Sequence, residues 1–238
     1  MIVLHEPKII VLKARKVGST SLEIALSRFA TETSIITPIS KEDEETREKL
    51  GYRAPQNYRY EDSELSLLEK AKAFLKREPP QKYFNHIPAA LARQRLGGEI
   101  WDSYTKVATI RNPFDAAISM YFWKLRSKNP GQDTSFEDWT SKNLDLIRRN
   151  EEIYKINGEN IIDVMIRYDH LEHDIKNLEN NHPSLSGLWE TFCKITAKSA
   201  VRPKTSSMEE MFRKAPRARQ LISEACKDDI EAYGFAVP

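Results

Sequence analysis

Apolar residues recur along this chain with two different periods. Ile9 to Leu12 are four consecutive apolar residues, the pattern of a strand buried on both faces inside a parallel sheet. Thr105 to Ile110 alternate and then run apolar, and Ile161 to Ile166 form a third such run, so three core strands are expected. Between them the spacing lengthens to that of helices. Leu22, Ala25, Leu26 and Phe29 follow the first strand, a helix from Pro113 to about Arg126 follows the second, and Leu171 to Leu178 follow the third. Glu64 to Arg77 form an amphipathic helix with Leu65, Leu68, Ala71 and Leu75 on one side, stopped by Pro79-Pro80. Pro88 and Gly97-Gly98 bracket a short helix, and Ser135 caps one with Phe136, Trp139, Leu144 and Ile147 as its core face. Leu185 to Ile195 and Leu221 to Tyr233 complete the helices, the last closed by Gly234. Residues 31–62 keep no regular period beyond room for a short strand at Ser34 to Ile36. Their aromatic and amide content predicts an ordered loop.

Strands separated by helices imply βαβ units with right-handed crossovers. The expected fold is α/β: a P-loop-like three-layer arrangement with a mainly parallel central sheet flanked by helices, in a single domain over 1–238. In such sheets ligands bind beyond the carboxyl ends of the strands.

Composition narrows the partners. Of 238 residues 40% are hydrophobic and 30% charged, as in a globular chain with one well-filled core. The net charge of +2 supplies no broad basic field, which argues against a nucleic-acid binder and for a small, locally held anion. Cys193 and Cys226, both within helical patterns, are too few for a disulfide framework or a zinc site, so no metal is expected. No apolar run approaches the length of a bilayer span, and the first strand begins too early to leave room for a signal peptide. A cytoplasmic, reducing location follows as an expectation. The oligomeric state is not written in these patterns.

The chemistry concentrates where the first strand ends. Lys13, Arg15 and Lys16 bring three cations, Gly18 frees the backbone, and Ser19, Thr20 and Ser21 supply hydroxyls at a helix start. The first N–H groups of a helix lack intrahelical partners and face outward with the positive end of the dipole, so this turn is a phosphate cradle. In a nucleotide-triphosphatase loop the lysine follows the second glycine and a hydroxyl holds magnesium. Here Lys16 precedes the only glycine of the turn, which disfavours that class.

A second basic turn follows the next core strand. Arg111 and Ser119 are eight positions apart with Pro113 opening the helix between them, which returns Ser119 toward the turn that holds Arg111. A guanidinium fork and a hydroxyl suit a terminal phosphate, although an arginine in this position can equally pair with a carboxylate.

The segments KVGSTS and RNPFDAAIS, in this order after successive core strands, resemble the 5′-phosphosulfate loop and the 3′-phosphate signature of sulfotransferases that use 3′-phosphoadenosine 5′-phosphosulfate (PAPS). The resemblance is to the carbohydrate-type, family 2 group, and extends to Asn85-His86, to Trp101-Asp102-Ser103-Tyr104 and to the closing stretch from Asp228 to Gly234. Arg15 stands where that group often has proline. The resemblance implies transfer of a sulfuryl group from PAPS, without a metal, to a hydroxyl of a carbohydrate or glycoconjugate. Lys16 would stabilise the leaving oxygen. Arg15, Val17, Gly18, Ser19, Thr20 and Ser21 would hold the 5′-phosphate. Arg111 and Ser119 would grip the 3′-phosphate. Lys204, in the basic loop from Val201 to Ser207, would close over the nucleotide. His86 is the candidate base, with His5 and the acidic run from Glu42 to Glu45 as the other sources. Residues 31–82 form the expected acceptor-side insertion, where Gln56 and Asn57 could hold a sugar. The competing readings are a kinase-like phosphotransferase and a non-catalytic module for a 3′,5′-bisphosphate nucleotide.

Overall fold

The computed structural model describes residues 1–76, 79–125, 134–195 and 207–238. In chain order its strands are β1 (Ile2–Leu4), β2 (Ile9–Leu12), β3 (Ile35–Ile36), β4 (Thr105–Ile110), β5 (Lys155–Ile156), β6 (Glu159–Asn160) and β7 (Val164–Arg167). The helices are α1 (Ser19–Ser27), α2 (Lys41–Lys49), α3 (Leu67–Lys76), α4 (Ala89–Leu96), α5 (Gly98–Ser103), α6 (Pro113–Leu125), α7 (Phe136–Arg148), α8 (Glu151–Tyr154), α9 (Leu171–Asn181), α10 (Leu188–Cys193), α11 (Met208–Arg213), α12 (Pro216–Ala225) and α13 (Lys227–Tyr233). Among the described residues no helix is long and apolar enough to cross a membrane.

A five-stranded sheet in the order β3-β1-β2-β4-β7 carries the fold, and β5 with β6 makes a separate hairpin. The β2, β4 and β7 strands pair in parallel, with Leu12 opposite Ala108 and Ile110 opposite Arg167. β1 runs antiparallel to both β2 and β3, so the sheet is mixed around a parallel core. The alternation of each strand divides the interior in two. Val3, Ile10, Leu12, Ala108 and Ile110 pack on one face with Ile87, Ala92 and Trp101, whereas Ile2, Leu4, Ile9, Val11, Val107 and Ile166 pack on the other with Leu22, Leu26, Ile175 and Leu188. A third apolar layer joins α6 to α7, α11 and α12 through Phe114, Ile118, Trp139, Phe212 and Ile222.

Several expectations shift. The third strand lies at Val164–Arg167, a few residues later than the apolar run from Ile161, because Ile161 and Ile162 pack from the connector beside the β5-β6 hairpin. The stretch 31–62 is more regular than its lack of period predicted. Its polar helix α2 stands because Ser40 caps it, Glu42, Asp43 and Glu44 occupy its first turn, and Arg47 and Lys49 its last, an order that complements the helix dipole. α3 forms near the predicted place, but of its expected face Leu65 at the approach is buried whereas Leu68 and Leu75 lie exposed. The closing helix divides at Cys226 into α12 and α13, with Gly234 in the left-handed region at the end. The basic loop around Lys204 lies outside the described residues apart from Ser207, which caps α11.

Candidate functional site

The carboxyl ends of the three parallel strands each deliver one part of a single cavity of about 540 Å³. β2 runs into the loop 13–18, β4 into Arg111, and β7 into Tyr168. Lys13, Arg15, Lys16, Gly18, Ser19, Thr20, Ser21, His86, Arg111 and Ser119 all line it. Its wall is completed by Asn85, Ser40 and Asp43 at one side and by Trp123, Lys124 and Leu146 at another. Five cations and one carboxylate therefore line this space, although Lys13 is paired with Glu23 and Arg111 with Asp115.

The loop is held in an unusual shape. Lys16 has φ 61 and Gly18 φ 80, so the backbone turns left-handed on either side of Val17. Gly18 is required twice over: a Cβ there would stand 2.9 Å from the Tyr168 ring, and its φ disfavours any side chain. Val17 points inward, 2% exposed, beside Ala14 and Ile110, so it contributes only its backbone. Ser19 donates its hydroxyl to the Ala14 carbonyl at 2.8 Å and thereby closes the loop on itself. Thr20 and Ser21 stay at the cavity wall in the first turn of α1.

A residue with no sequence signal fastens this loop from outside. Asn150, 9% exposed between α7 and α8, accepts from the Arg15 N–H at 2.8 Å and donates to the Arg15 carbonyl at 3.0 Å. One amide thus satisfies both backbone groups of the residue before Lys16. Burial lowers the Arg15 guanidinium pKa first, with the nearby Arg149 adding to the effect.

The two basic turns meet. Arg111 Nη1 donates to the Lys16 carbonyl at 3.1 Å, and its guanidinium lies 4.0 Å from the centre of the Tyr168 ring. Asp115, one helical turn on, accepts from Nε and Nη2, both at 2.6 Å. The carboxylate pairing open from the sequence is therefore real, yet it leaves Arg111 on the cavity wall and fixes the plane of the fork. These contacts use three of the five N–H groups that a guanidinium carries. Asn112 caps α6 through the Phe114 N–H at 3.0 Å, which sets the helix that presents Ser119 and, a turn later, Trp123. Lys16 Nζ lies 5.6 Å from the centre of the Trp123 ring.

His86 faces the same space with φ 60, its Nδ1 2.8 Å from the Lys13 carbonyl. A carbonyl only accepts, so Nδ1 carries the proton and Nε2 keeps its lone pair. Burial pushes the imidazole down to about 4, with Arg15 and Lys13 also opposing its charge, so the ring is neutral at pH 7. Lys13 itself is 3% exposed and pairs with Glu23 at 3.1 Å. Arg47, fully buried, lies 3.6 Å from the same carboxylate and 2.8 Å from Glu44.

Of the acidic run, Asp43 reaches the cavity, where Ser40 donates to it at 2.8 Å. Gln56 and Asn57 do not: their amides donate to the backbone carbonyls of Thr31, Glu32 and Ser34. Asn150, Tyr168 and Trp123 are the site residues that sequence reasoning missed, whereas Asp43 belongs to the acidic run it offered. Tyr168 alone carried a usable signal, its place just past a core strand. No protein-family model matches the chain, and no curated protein matches it either.

Proposed function

We propose that the chain is a sulfotransferase that moves a sulfuryl group from PAPS to a hydroxyl, with a carbohydrate or glycoconjugate as acceptor. The observation that carries this reading is that the Lys16 turn and the Arg111-Ser119 turn open into one cavity and are hydrogen-bonded to each other. A ligand with phosphate at both ends of a nucleoside suits two anion mounts on one sheet edge, and the cavity falls in the range of small-molecule sites.

In this reading the first-turn N–H groups of α1, with Thr20 and Ser21, hold the 5′-phosphate, and Arg111 and Ser119 hold the 3′-phosphate. The acceptor oxygen attacks sulfur in line, forming one S–O bond as the bridging S–O bond breaks. His86 Nε2 takes the hydroxyl proton. Lys16 meets the charge that develops on the departing bridging oxygen, leaving adenosine 3′,5′-bisphosphate. A base held near pKa 4 is weak, and the anionic donor beside it stabilises the imidazolium and strengthens it as the complex forms.

Thermal unfolding with adenosine 3′,5′-bisphosphate against magnesium ATP, followed by transfer from labelled PAPS to a panel of sugars, tests the reading. Stabilisation by the bisphosphate together with transfer is the expected result, and Lys16→Ala should abolish transfer while keeping the fold. Stabilisation by magnesium ATP alone would select a phosphotransferase instead. Bisphosphate binding with no transfer to any acceptor would select a binding module.

A further inference from the structure

The sheet order separates two flanks of the cavity. β1 is antiparallel to both β2 and β3, so β3 runs parallel to β2 and its carboxyl end opens at the same edge. In the order β3-β1-β2-β4-β7, the segment after β3 therefore leaves the sheet on the opposite side of the Lys16 turn from Arg111. That segment brings Ser40 and Asp43 to the cavity at the start of α2. Asn85 and His86 line the cavity from the end of β2, where His86 Nδ1 donates to the Lys13 carbonyl. The pair is firmly seated. Tyr83 and Ile87 on either side are 5% and 0% exposed, and His86 shares with Lys16 a left-handed backbone, φ 60 and 61. Such conformations persist where the surroundings over-determine them, and they collect at ligand sites.

Asn85 stands apart from the other amides around the site. Gln56, Asn57, Asn112 and Asn150 all spend their side chains on backbone groups. The Asn85 carboxamide makes no hydrogen bond among the described residues, and its Oδ1 is buried without a partner. A buried polar atom left unpaired is costly, and a ligand that supplies the partner removes the cost. A carboxamide carries an acceptor and two donors on adjacent atoms, and its terminal torsion is soft and two-fold, so either atom can turn toward the cavity. A hydroxyl, which both donates and accepts, suits it in either orientation. The neighbours favour a polar ligand as well: Ser40, Asp43 and His86 all carry hydrogen-bonding groups, whereas the apolar wall residues Met120, Trp123 and Leu146 come from α6 and α7.

We infer that Asn85 selects the acceptor: its carboxamide binds a second hydroxyl of a polyhydroxylated molecule whose reacting hydroxyl sits at His86 Nε2, so a lone alcohol or phenol is a poor substrate. This rests on the sulfotransferase reading above. The test loads the intact protein with adenosine 3′,5′-bisphosphate, checked by thermal shift. Acceptor binding is then read by saturation-transfer NMR with the methyl glycosides of glucose, galactose and mannose and with cyclohexanol, beside transfer kinetics from labelled PAPS. At least one glycoside should bind, and cyclohexanol should not. Asn85→Ala should weaken glycoside binding and raise its KM by about tenfold, with bisphosphate affinity kept within twofold. The melting point should hold or rise, since an unpaired carboxamide is removed. Glycoside binding unchanged in the variant, equal binding of cyclohexanol, or no binding by any of the three glycosides would each overturn the proposal. A fall in melting point together with weaker bisphosphate binding would also overturn it, since Asn85 would then be an architectural residue. No stabilisation by the bisphosphate would bring down the sulfotransferase reading itself and this inference with it, a result that none of the other outcomes shares.

Discussion

Asn150→Ala is the most discriminating change. The substitution removes a side chain that touches no ligand in the proposed complex, yet fixes both backbone groups of Arg15 at 2.8 and 3.0 Å. A typical internal hydrogen bond contributes about 0.5–1.5 kcal/mol net, so the pair contributes about 2 kcal/mol toward holding the loop in its left-handed shape. Without it the shape that presents Lys16 and the α1 N-terminus is less populated, and observed affinity falls in proportion. At about 1.4 kcal/mol per factor of ten, adenosine 3′,5′-bisphosphate should bind about 30-fold more weakly. Isothermal titration measures that ratio, and thermal unfolding of the unliganded protein runs beside it. The same free energy charged wholly to global unfolding would lower the melting point by about 4–8 °C in a chain of this size. A purely architectural asparagine would move the melting point and leave affinity alone. Unchanged affinity, within twofold, refutes the assignment of Asn150 as a positioning residue.

Gly18→Ala should cost about 1–2 kcal/mol in denaturant unfolding for its left-handed backbone, and displace Tyr168 from its place over Arg111. Adding Tyr168→Leu should recover the steric part of the loss and not the backbone part; full recovery would contradict the backbone reading. His86 has its folded pKa lowered from 6.5 to about 4, so the unfolded chain binds the extra proton first. Stability from this group is complete above about pH 6.5 and declines as pH falls toward 4, and His86→Gln should flatten unfolding free energy against pH across that window. Glu23 is also lowered: burial alone would raise its carboxyl, and Lys13 and Arg47 help to outweigh that. Its contribution is present above its ordinary value of 4.5 and is lost as pH falls through the lower folded value. Glu23→Gln leaves the buried Lys13 without its carboxylate, while Arg47 keeps Glu44, and should destabilise by about 3–5 kcal/mol in urea; a loss below about 1 kcal/mol would show that Lys13 finds water or another partner.

The parts of the molecule legible in the sequence are those governed by local rules. An unbroken apolar run marked β2, because a strand covered on both faces has little room for polar positions, and alternation ending in an apolar stretch marked β4; the Lys16 and Arg111 turns were legible because each sits directly after such a segment. β1 was not, since nothing in MIVL separates the start of a strand from a mere lead into Ile9. α2 has no apolar stripe at all, and its reasons for being helical lie in a cap and in the order of its charges. Asn150 was invisible for a different reason. Its role depends on the end of α7 arriving beside a loop 135 positions earlier, and no local pattern encodes that meeting. α3 illustrates the opposite failure: a helix was expected there and forms at Leu67–Lys76, but a stripe carries no label saying whether the rest of the chain will cover it.

The bond from the Arg111 guanidinium to the Lys16 carbonyl makes the two basic turns a caliper of fixed opening. Neither turn can move away without breaking that contact, so under the proposed function selection among nucleotides would become a matter of length as much as of charge. Fragments carrying a single terminal phosphate would fill one jaw and forfeit the advantage of tethering, and their combined affinities should fall well short of the intact two-ended molecule.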